Sequence, residues 1–278
     1  MRRQSVWRAS LLSAVLLPIF PLFLLWNAGA GESWAAAMLV ADSSGPGSLS
    51  PQNGAAGMLG ARPYYDVRLE KSGRRGLPDI ALRYPSFGLE AVDSDIAQWA
   101  GHIASSFERD FATQEALGPA YTPPAGTESM DSWLNAGYTL LSPSDRVASL
   151  VFDVWMCTGD SSLSQDVLTL NYNLVTGQRL NLVDIFENVD AALSILSERS
   201  RAALARGVGR GRVDDVIASG TAPEPENFAS LALTPAGVRV YFQPYQVTLF
   251  AGSQKVDIAL EDLMPAGPLL ALWGRNDR

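Results

Sequence analysis

Apolar side chains recur at every second position in several short segments of this chain, and at every third or fourth position in two longer ones. This pattern limits the fold more than any single residue does. Period two is typical of strands with one buried face, and a period near 3.6 is typical of amphipathic helices. The strand pattern occupies residues 65–69, 80–84, 150–156, 168–174, 238–242 and 256–260. We therefore predict an α+β fold, with a largely antiparallel sheet and helices packed on one face.

Two segments predict the helices. Asp93 precedes an apolar stripe that runs from Ile96 to Phe111, and Asp190 precedes a second stripe that ends near Gly207. Aspartate is favoured at a helix start, and glycine commonly ends a helix. Between these segments, residues 150–156 carry apolar side chains on both sides of the strand, so we expect that strand to be buried on both faces.

The N-terminus carries an export signal. Three arginines, Arg2, Arg3 and Arg8, precede an apolar stretch over residues 11–26. This stretch is shorter than the ~20 residues of a spanning helix, and its length suits a signal peptide. We therefore predict a periplasmic or secreted protein. An uncleaved anchor in the inner membrane, facing the periplasm, is the alternative.

The composition divides the chain into five parts. We interpret residues 1–30 as the signal peptide or anchor, and residues 31–62, rich in Ser, Gly, Pro and Ala, as a flexible linker. Residues 63–132 are expected to form a small N-terminal module and residues 133–264 a C-terminal domain. Residues 265–278 are then a tail.

The charge limits the partners. The chain has 21 Lys and Arg against 29 Asp and Glu, for a net charge of −8. Without the three N-terminal arginines the basic residues fall to 18, and the net charge becomes −11. Because phosphate contacts need Lys and Arg, nucleic acid is excluded, whereas a basic protein is compatible. We expect membrane contact only through the N-terminal segment, if that segment is uncleaved.

Residues that carry common catalytic chemistry are scarce. The chain has one histidine, His102, and one cysteine, Cys157, which we expect to be buried and inert. A zinc site needs several such ligands, and no phosphate-binding or dinucleotide motif is present. We predict no catalytic residue, metal or cofactor. A carboxylate-dependent hydrolase of the cell envelope, using a half-buried acid such as Asp153, stays open as the alternative.

An aromatic segment follows the strand at residues 238–242. Tyr241, Tyr245, Val247 and Phe250 place large side chains around Pro244, which cannot donate to a sheet. The segment is interpreted either as a structural corner or as an exposed rim. Because tyrosine is favoured at interfaces, these four residues are our candidate ligand contacts: Tyr241, Tyr245, Val247 and Phe250.

The same segment carries a family resemblance, together with residues 171–186 and 228–238. It resembles the signature of an extracytoplasmic domain of unknown function. This domain forms the outer part of RsiV-type anti-sigma factors and an accessory part of PdaC-type peptidoglycan deacetylases. The resemblance covers residues 63–264, including the small module that usually precedes the domain.

The resemblance implies an exported, non-enzymatic binding or sensing module of the cell envelope. In the anti-sigma members the outer domain recognises lysozyme, so the implied partner is a lysozyme-like basic protein or peptidoglycan. Such domains often carry a Gly-Gly-Ala-His loop, and this sequence departs from it with Cys157, Thr158, Gly159, Asp160, Ser161 and Ser162. Only about eight residues precede the apolar stretch, so we expect the domain to stand alone.

Overall fold

The computed structural model describes residues 55–73, 77–117, 132–158, 163–207, 213–249 and 252–275. The signal-peptide segment, residues 31–54 of the proposed linker and the candidate contact Phe250 lie outside these ranges. No helix within the described ranges is long and apolar enough to cross a membrane.

A large sheet of seven strands lies in chain order at the centre of the described structure. Its strands are β1 (Gly57–Leu59), β2 (Arg62–Lys71), β3 (Asp79–Ser86), β4 (Trp133–Ser144), β5 (Val147–Cys157), β6 (Leu163–Asn173) and β7 (Gln178–Arg179). Neighbours are antiparallel except β3 and β4, which are parallel. A parallel pair needs a crossover connection, and helix α1 (Glu90–Leu117) lies within the segment that makes it.

A small antiparallel sheet of three strands and several helices complete the fold. Its strands are β8 (Leu231–Thr234), β9 (Gly237–Phe242) and β10 (Gln254–Ala259). The α-helices after α1 are α2 (Leu182–Ile185), α3 (Val189–Gly207), α4 (Val213–Gly220) and α5 (Leu260–Leu263). Short 3₁₀ helices span Pro225–Phe228, Met264–Ala266 and Leu270–Trp273.

The layers pack through two main apolar clusters. Helix α1 covers one face of the large sheet, where the rings of Trp99 and Phe152 lie 4.2 Å apart. The small sheet covers part of the opposite face through β8, and α3 packs against the small sheet. The predicted fold class, α+β with a mostly antiparallel sheet, is confirmed.

Several boundaries differ from the predictions. Strand β1 lies inside the segment interpreted as linker. Trp273, in the predicted tail, is buried, and its indole N–H donates to the carbonyl of Thr234 at 3.0 Å. Strand β4 was not predicted, because few of its side chains are fully buried and its apolar pattern is therefore weak. Because β3 and β4 are neighbours, residues 63–132 and 133–264 contribute strands to one sheet.

Both long helices begin differently from the predicted starts. Helix α1 begins at Glu90, and the Asp93 carboxylate reaches back to accept hydrogen bonds from the Phe87 N–H at 2.7 Å and the Ser86 hydroxyl at 2.8 Å. At α3 the side chain of Asn188, rather than Asp190, accepts from a first-turn backbone N–H, at 3.0 Å. Asn188 thus satisfies a backbone N–H group that a helix start leaves unpaired, whereas Asp93 ties α1 to the end of β3 and the residue that follows it.

Candidate functional site

The aromatic segment forms a tight turn directly after β9. We call residues Gln243, Pro244, Tyr245 and Gln246 the corner. The N–H of Gln246 donates to the carbonyl of Gln243 at 3.1 Å, and Tyr245 has a φ of 65°. Proline at the second position and a positive φ at the third are the features of a type II turn, in which the third residue is normally glycine.

The side chain of Gln243 fixes the corner to the large sheet. Its Oε1 accepts from the N–H of Val167 at 2.9 Å, and its Nε2 donates to the carbonyl of the same residue. Strand β7 pairs with β6 only at Tyr172 and Asn173, so Val167 lies on a stretch of β6 without a neighbouring strand there. The glutamine amide therefore takes the place of a strand partner, which satisfies an edge that would otherwise be open.

The side chain of Gln246 fixes the corner from the other side. Its Oε1 accepts from the N–H of Gln243 at 2.9 Å, and its Nε2 donates to the carbonyls of Gly220 and Asn227, each at 3.1 Å. A Cβ on Gly220 would lie 1.9 Å from the carbonyl oxygen of Gln246, so only glycine allows this close approach. The amides of Gln243 and Gln246 together hold the backbone on both sides of Tyr245.

Tyr245 occupies a strained position and points outward. It is the one residue other than glycine with a positive φ among the described residues, and its side chain is 63% exposed. A left-handed conformation costs a residue with a Cβ about 1–2 kcal/mol relative to glycine. With so much of the ring exposed, internal packing does not account for a tyrosine here. Strain that the surroundings maintain is a reason to look for function at such a residue.

The other three candidate contacts differ from Tyr245. Val247 is only 1% exposed and lies in the cluster beneath α3, so it is not a surface contact, and we correct that prediction. Its apolar side chain anchors the corner in the core. Tyr241 is half-buried and packs near Val151 and Val167, while Phe250 lies outside the described residues. Of the four, Tyr245 is the ring that the structure places on the surface.

An acidic loop lies beside the corner. Glu224 and Glu226 are exposed in the segment that leads into and through the 3₁₀ helix Pro225–Phe228. Asn227 directly follows Glu226, and its backbone carbonyl accepts a hydrogen bond from the side chain of Gln246, the neighbour of Tyr245. The two glutamates therefore lie one and three residues before Asn227, whose carbonyl contacts the corner. An exposed ring and an exposed acidic loop thus belong to neighbouring segments.

The carboxylate proposed for hydrolysis is placed differently from the expectation. Asp153 is exposed rather than half-buried, and its carboxylate accepts a hydrogen bond from Gln165 at 3.4 Å. The nearby carboxyl with a perturbed pKa is Asp166 on β6, which faces the α1 side opposite Val154. Burial raises the pKa of the Asp166 carboxyl.

The remaining reactive side chains are separate. Cys157 is buried, as predicted, and His102 is exposed on α1. In the described ranges, no three His, Cys, Asp or Glu side chains gather as metal ligands would. The sequence interpretation of the corner missed Gln243 and Gln246. Two glutamines three positions apart around Pro-Tyr were the available signal, because each amide can both donate and accept.

Comparison with known proteins gives one curated relative. No protein-family model matches the chain. The chain is 25% identical to the peptidoglycan-N-acetylmuramic acid deacetylase PdaC of Bacillus subtilis strain 168 over 181 residues, which cover 65% of this chain. The match covers 37% of PdaC, so the chain corresponds to just over a third of that protein.

Solved structures give the fold. A DUF3298-family protein of Pseudomonas aeruginosa PAO1 matches with a TM-score of 0.51 at 13% identity, over 78% of this chain and 99% of that one. A DUF3298-family member from Bacteroides fragilis NCTC 9343 matches with a TM-score of 0.50 at 15% identity, over 77% and 97%. The resemblance predicted from the C-terminal motif is thus confirmed: the chain has the fold of DUF3298-family proteins and resembles part of a peptidoglycan deacetylase.

Proposed function

We propose that this protein is an exported, non-catalytic binding module of the cell envelope, and that its corner captures a basic protein. The observation that carries the proposal is Tyr245, which is held in a strained turn by two glutamine amides while its ring stays exposed. A rigid aromatic side chain loses little conformational entropy on binding, and tyrosine is enriched among the residues that dominate interface energies.

The charge beside the ring supports a cationic partner. Glu224 and Glu226 lie in the loop that contacts the corner through Asn227, and the whole chain has 29 acidic residues against 21 basic ones. Complementary charge speeds association and selects the partner, while a buried aromatic anchor supplies affinity. The fold shared with DUF3298 proteins and the likeness to a peptidoglycan deacetylase support a periplasmic or secreted location at the cell wall. The arginines and apolar stretch at the N-terminus support the same location.

The test is capture of lysozyme, used as a basic protein probe, by the full chain at moderate salt. We expect Tyr245→Ala to weaken capture at least tenfold, which corresponds to about 1.4 kcal/mol. Changing Glu224 and Glu226 together to Gln should slow association and reduce its dependence on salt. Glu70→Gln, on β2 of the large sheet, is the charge control and should change neither. Capture that is unaffected by Tyr245→Ala would sink the proposal.

A further inference from the structure

A second surface lies on the large sheet, on the face opposite α1. The small sheet covers only part of this face. Its contacts include those of Leu233 with Ser149, Leu231 with Asn171 and Ser230 with Val167. Further along the strands no described secondary-structure element packs on this face. Asp153 and Trp155 of β5 are exposed there, which corrects the expectation that this strand is buried on both faces along its whole length.

Strand register fixes the side chains around Trp155. Asn135 of β4 lies directly opposite Trp155 on one side, and Gln165 of β6 lies opposite it on the other. Directly opposed residues have Cβ atoms about 4.5–5.5 Å apart, so the indole stands between two side-chain amides. Asp153 is two residues away on the same strand and face, and accepts from Gln165 at 3.4 Å. We call these four residues, Asn135, Asp153, Trp155 and Gln165, the open face.

The neighbours of the open face leave it low and accessible. Ala81 lies opposite Asn135 in the same row, and Gly137 lies opposite Asp153 in the next. These small residues add little bulk to a face on which the Trp155 ring is 37% exposed, and the Arg83 guanidinium lies near Gly137. A flat indole bordered by hydrogen-bonding groups contacts a ligand that is apolar on one face and polar at its rim.

The charges near the open face favour an uncharged ligand. Asp153 is the one charged member of the open face, and Arg83, which borders it, is paired with Asp66 at 3.3 Å. A single carboxylate attracts a charged polymer or a charged protein only weakly, and it can accept hydrogen bonds from an uncharged ligand. The charged and amide groups are also poor material for the core of a protein interface, which is depleted in charge.

We propose that the open face binds a glycan strand built of N-acetylated amino sugars. A pyranose ring carries C–H bonds on its face, which contact the indole, and hydroxyl groups at its rim. Asp153 accepts from hydroxyls, while the amides of Asn135 and Gln165 both donate and accept, as an acetamido group requires. A sheet surface is extended, so successive sugars lie across neighbouring strands. This binding is separate from the corner and does not depend on protein capture there.

Titration of the full chain with chitohexaose, a hexamer of N-acetylglucosamine, tests this proposal by calorimetry. We expect Trp155→Ala to raise the Kd at least tenfold, and Asn135→Ala to raise it by a smaller factor. Tyr65→Ala removes an exposed aromatic ring from β2 and is the matched control, with an unchanged Kd. Cellohexaose lacks acetamido groups and should bind more weakly than chitohexaose.

Two results overturn the proposal: no binding of chitohexaose to the unchanged protein, or an unchanged Kd in Trp155→Ala. If Trp155→Ala lowers the melting temperature, Trp155→Phe replaces it, since it preserves most of the packing but offers the sugar a smaller ring and should raise the Kd. A Trp155→Phe Kd equal to that of the unchanged protein, with Asn135→Ala also unchanged, then contradicts the proposal.

Discussion

The corner and the open face reach a similar outcome, an aromatic ring exposed to solvent, by opposite means. At the corner, Tyr245 sits in a conformation that its own backbone disfavours, and several hydrogen bonds hold it there. At the open face, Trp155 sits in ordinary strand geometry, and register alone places its neighbours. The corner is therefore sensitive to the residues beneath it, whereas the open face is sensitive only to its own side chains.

The largest effect is expected from Gln246→Ala. The substitution removes the one amide nitrogen that donates to both the Gly220 and Asn227 carbonyls, and the oxygen that accepts from the Gln243 N–H. An unsatisfied buried group costs about 1–3 kcal/mol, and these three groups are part-buried, so we expect the free energy of unfolding to fall by about 3 kcal/mol in urea denaturation. Gln98→Ala, on the exposed side of α1, is the control and should stay within about 0.5 kcal/mol. If Gln246→Ala also lowers the free energy of unfolding by no more than about 0.5 kcal/mol, its side chain does not hold the corner in place.

A smaller loss is expected from Gly220→Ala. The new Cβ would meet the Gln246 carbonyl oxygen at 1.9 Å, so α4 or the corner must shift. Overpacking of this kind costs about 1–3 kcal/mol. The control is Gly101→Ala in α1, where a Cβ meets nothing within 4 Å and should stabilise the helix by about 0.5–1 kcal/mol. Opposite signs for the two glycines in thermal unfolding are the expected result, and equal signs would count against it.

A gain in stability is expected from Tyr245→Gly. Glycine adopts the positive φ without penalty, so unfolding free energy should rise by about 1 kcal/mol. Lysozyme capture should fall as in Tyr245→Ala, which removes the ring but keeps the strain. Only the glycine variant should gain stability. If Tyr245→Gly and Tyr245→Ala are equally stable, the positive φ at this position does not cost stability, which contradicts the prediction.

The smallest change in stability is expected at Asp166, on the face of β6 that is turned towards α1. The raised pKa of Asp166 means that the folded protein holds a proton more tightly than the unfolded chain does. Stability should therefore fall as pH rises from the ordinary value of 3.8 through the raised folded-state pKa. We expect Asp166→Asn to be more stable than the unchanged protein at pH 7, and no more stable at pH 3. Urea denaturation at both pH values checks this, with Asp153→Asn as the exposed control.

The two regions also differ in how well the sequence revealed them. The corner was found from its aromatic residues and from Pro244, because proline and a following tyrosine-rich run interrupt a strand pattern visibly. The hydrogen bonds that hold the corner were missed, because the partners of Gln246 lie 19 and 26 residues away in the chain. The burial of Val247 was missed for a similar reason: adjacent residues of an irregular turn point in unrelated directions.

The open face was not found at all. Trp155 lies in a segment, residues 150–156, that has apolar side chains on both sides. The same pattern is typical of a strand that is buried on both faces. Where the small sheet stops is set by contacts of β8 with β4, β5 and β6, and local periodicity carries no information about them. The alternation of apolar residues therefore predicted the α+β class and most of the strands. Which part of a sheet face is buried depends on how the small sheet packs on the large one, and alternation does not predict that.

The most direct measurement is the binding of lysozyme and of chitohexaose to one variant of each surface. Full chains carrying Tyr245→Gly or Trp155→Ala are each titrated with lysozyme and with chitohexaose. Two separate surfaces predict that Tyr245→Gly loses lysozyme and keeps chitohexaose, while Trp155→Ala loses chitohexaose and keeps lysozyme. Loss of both ligands in either folded variant, or retention of both in either, would contradict the assignment of two independent binding surfaces.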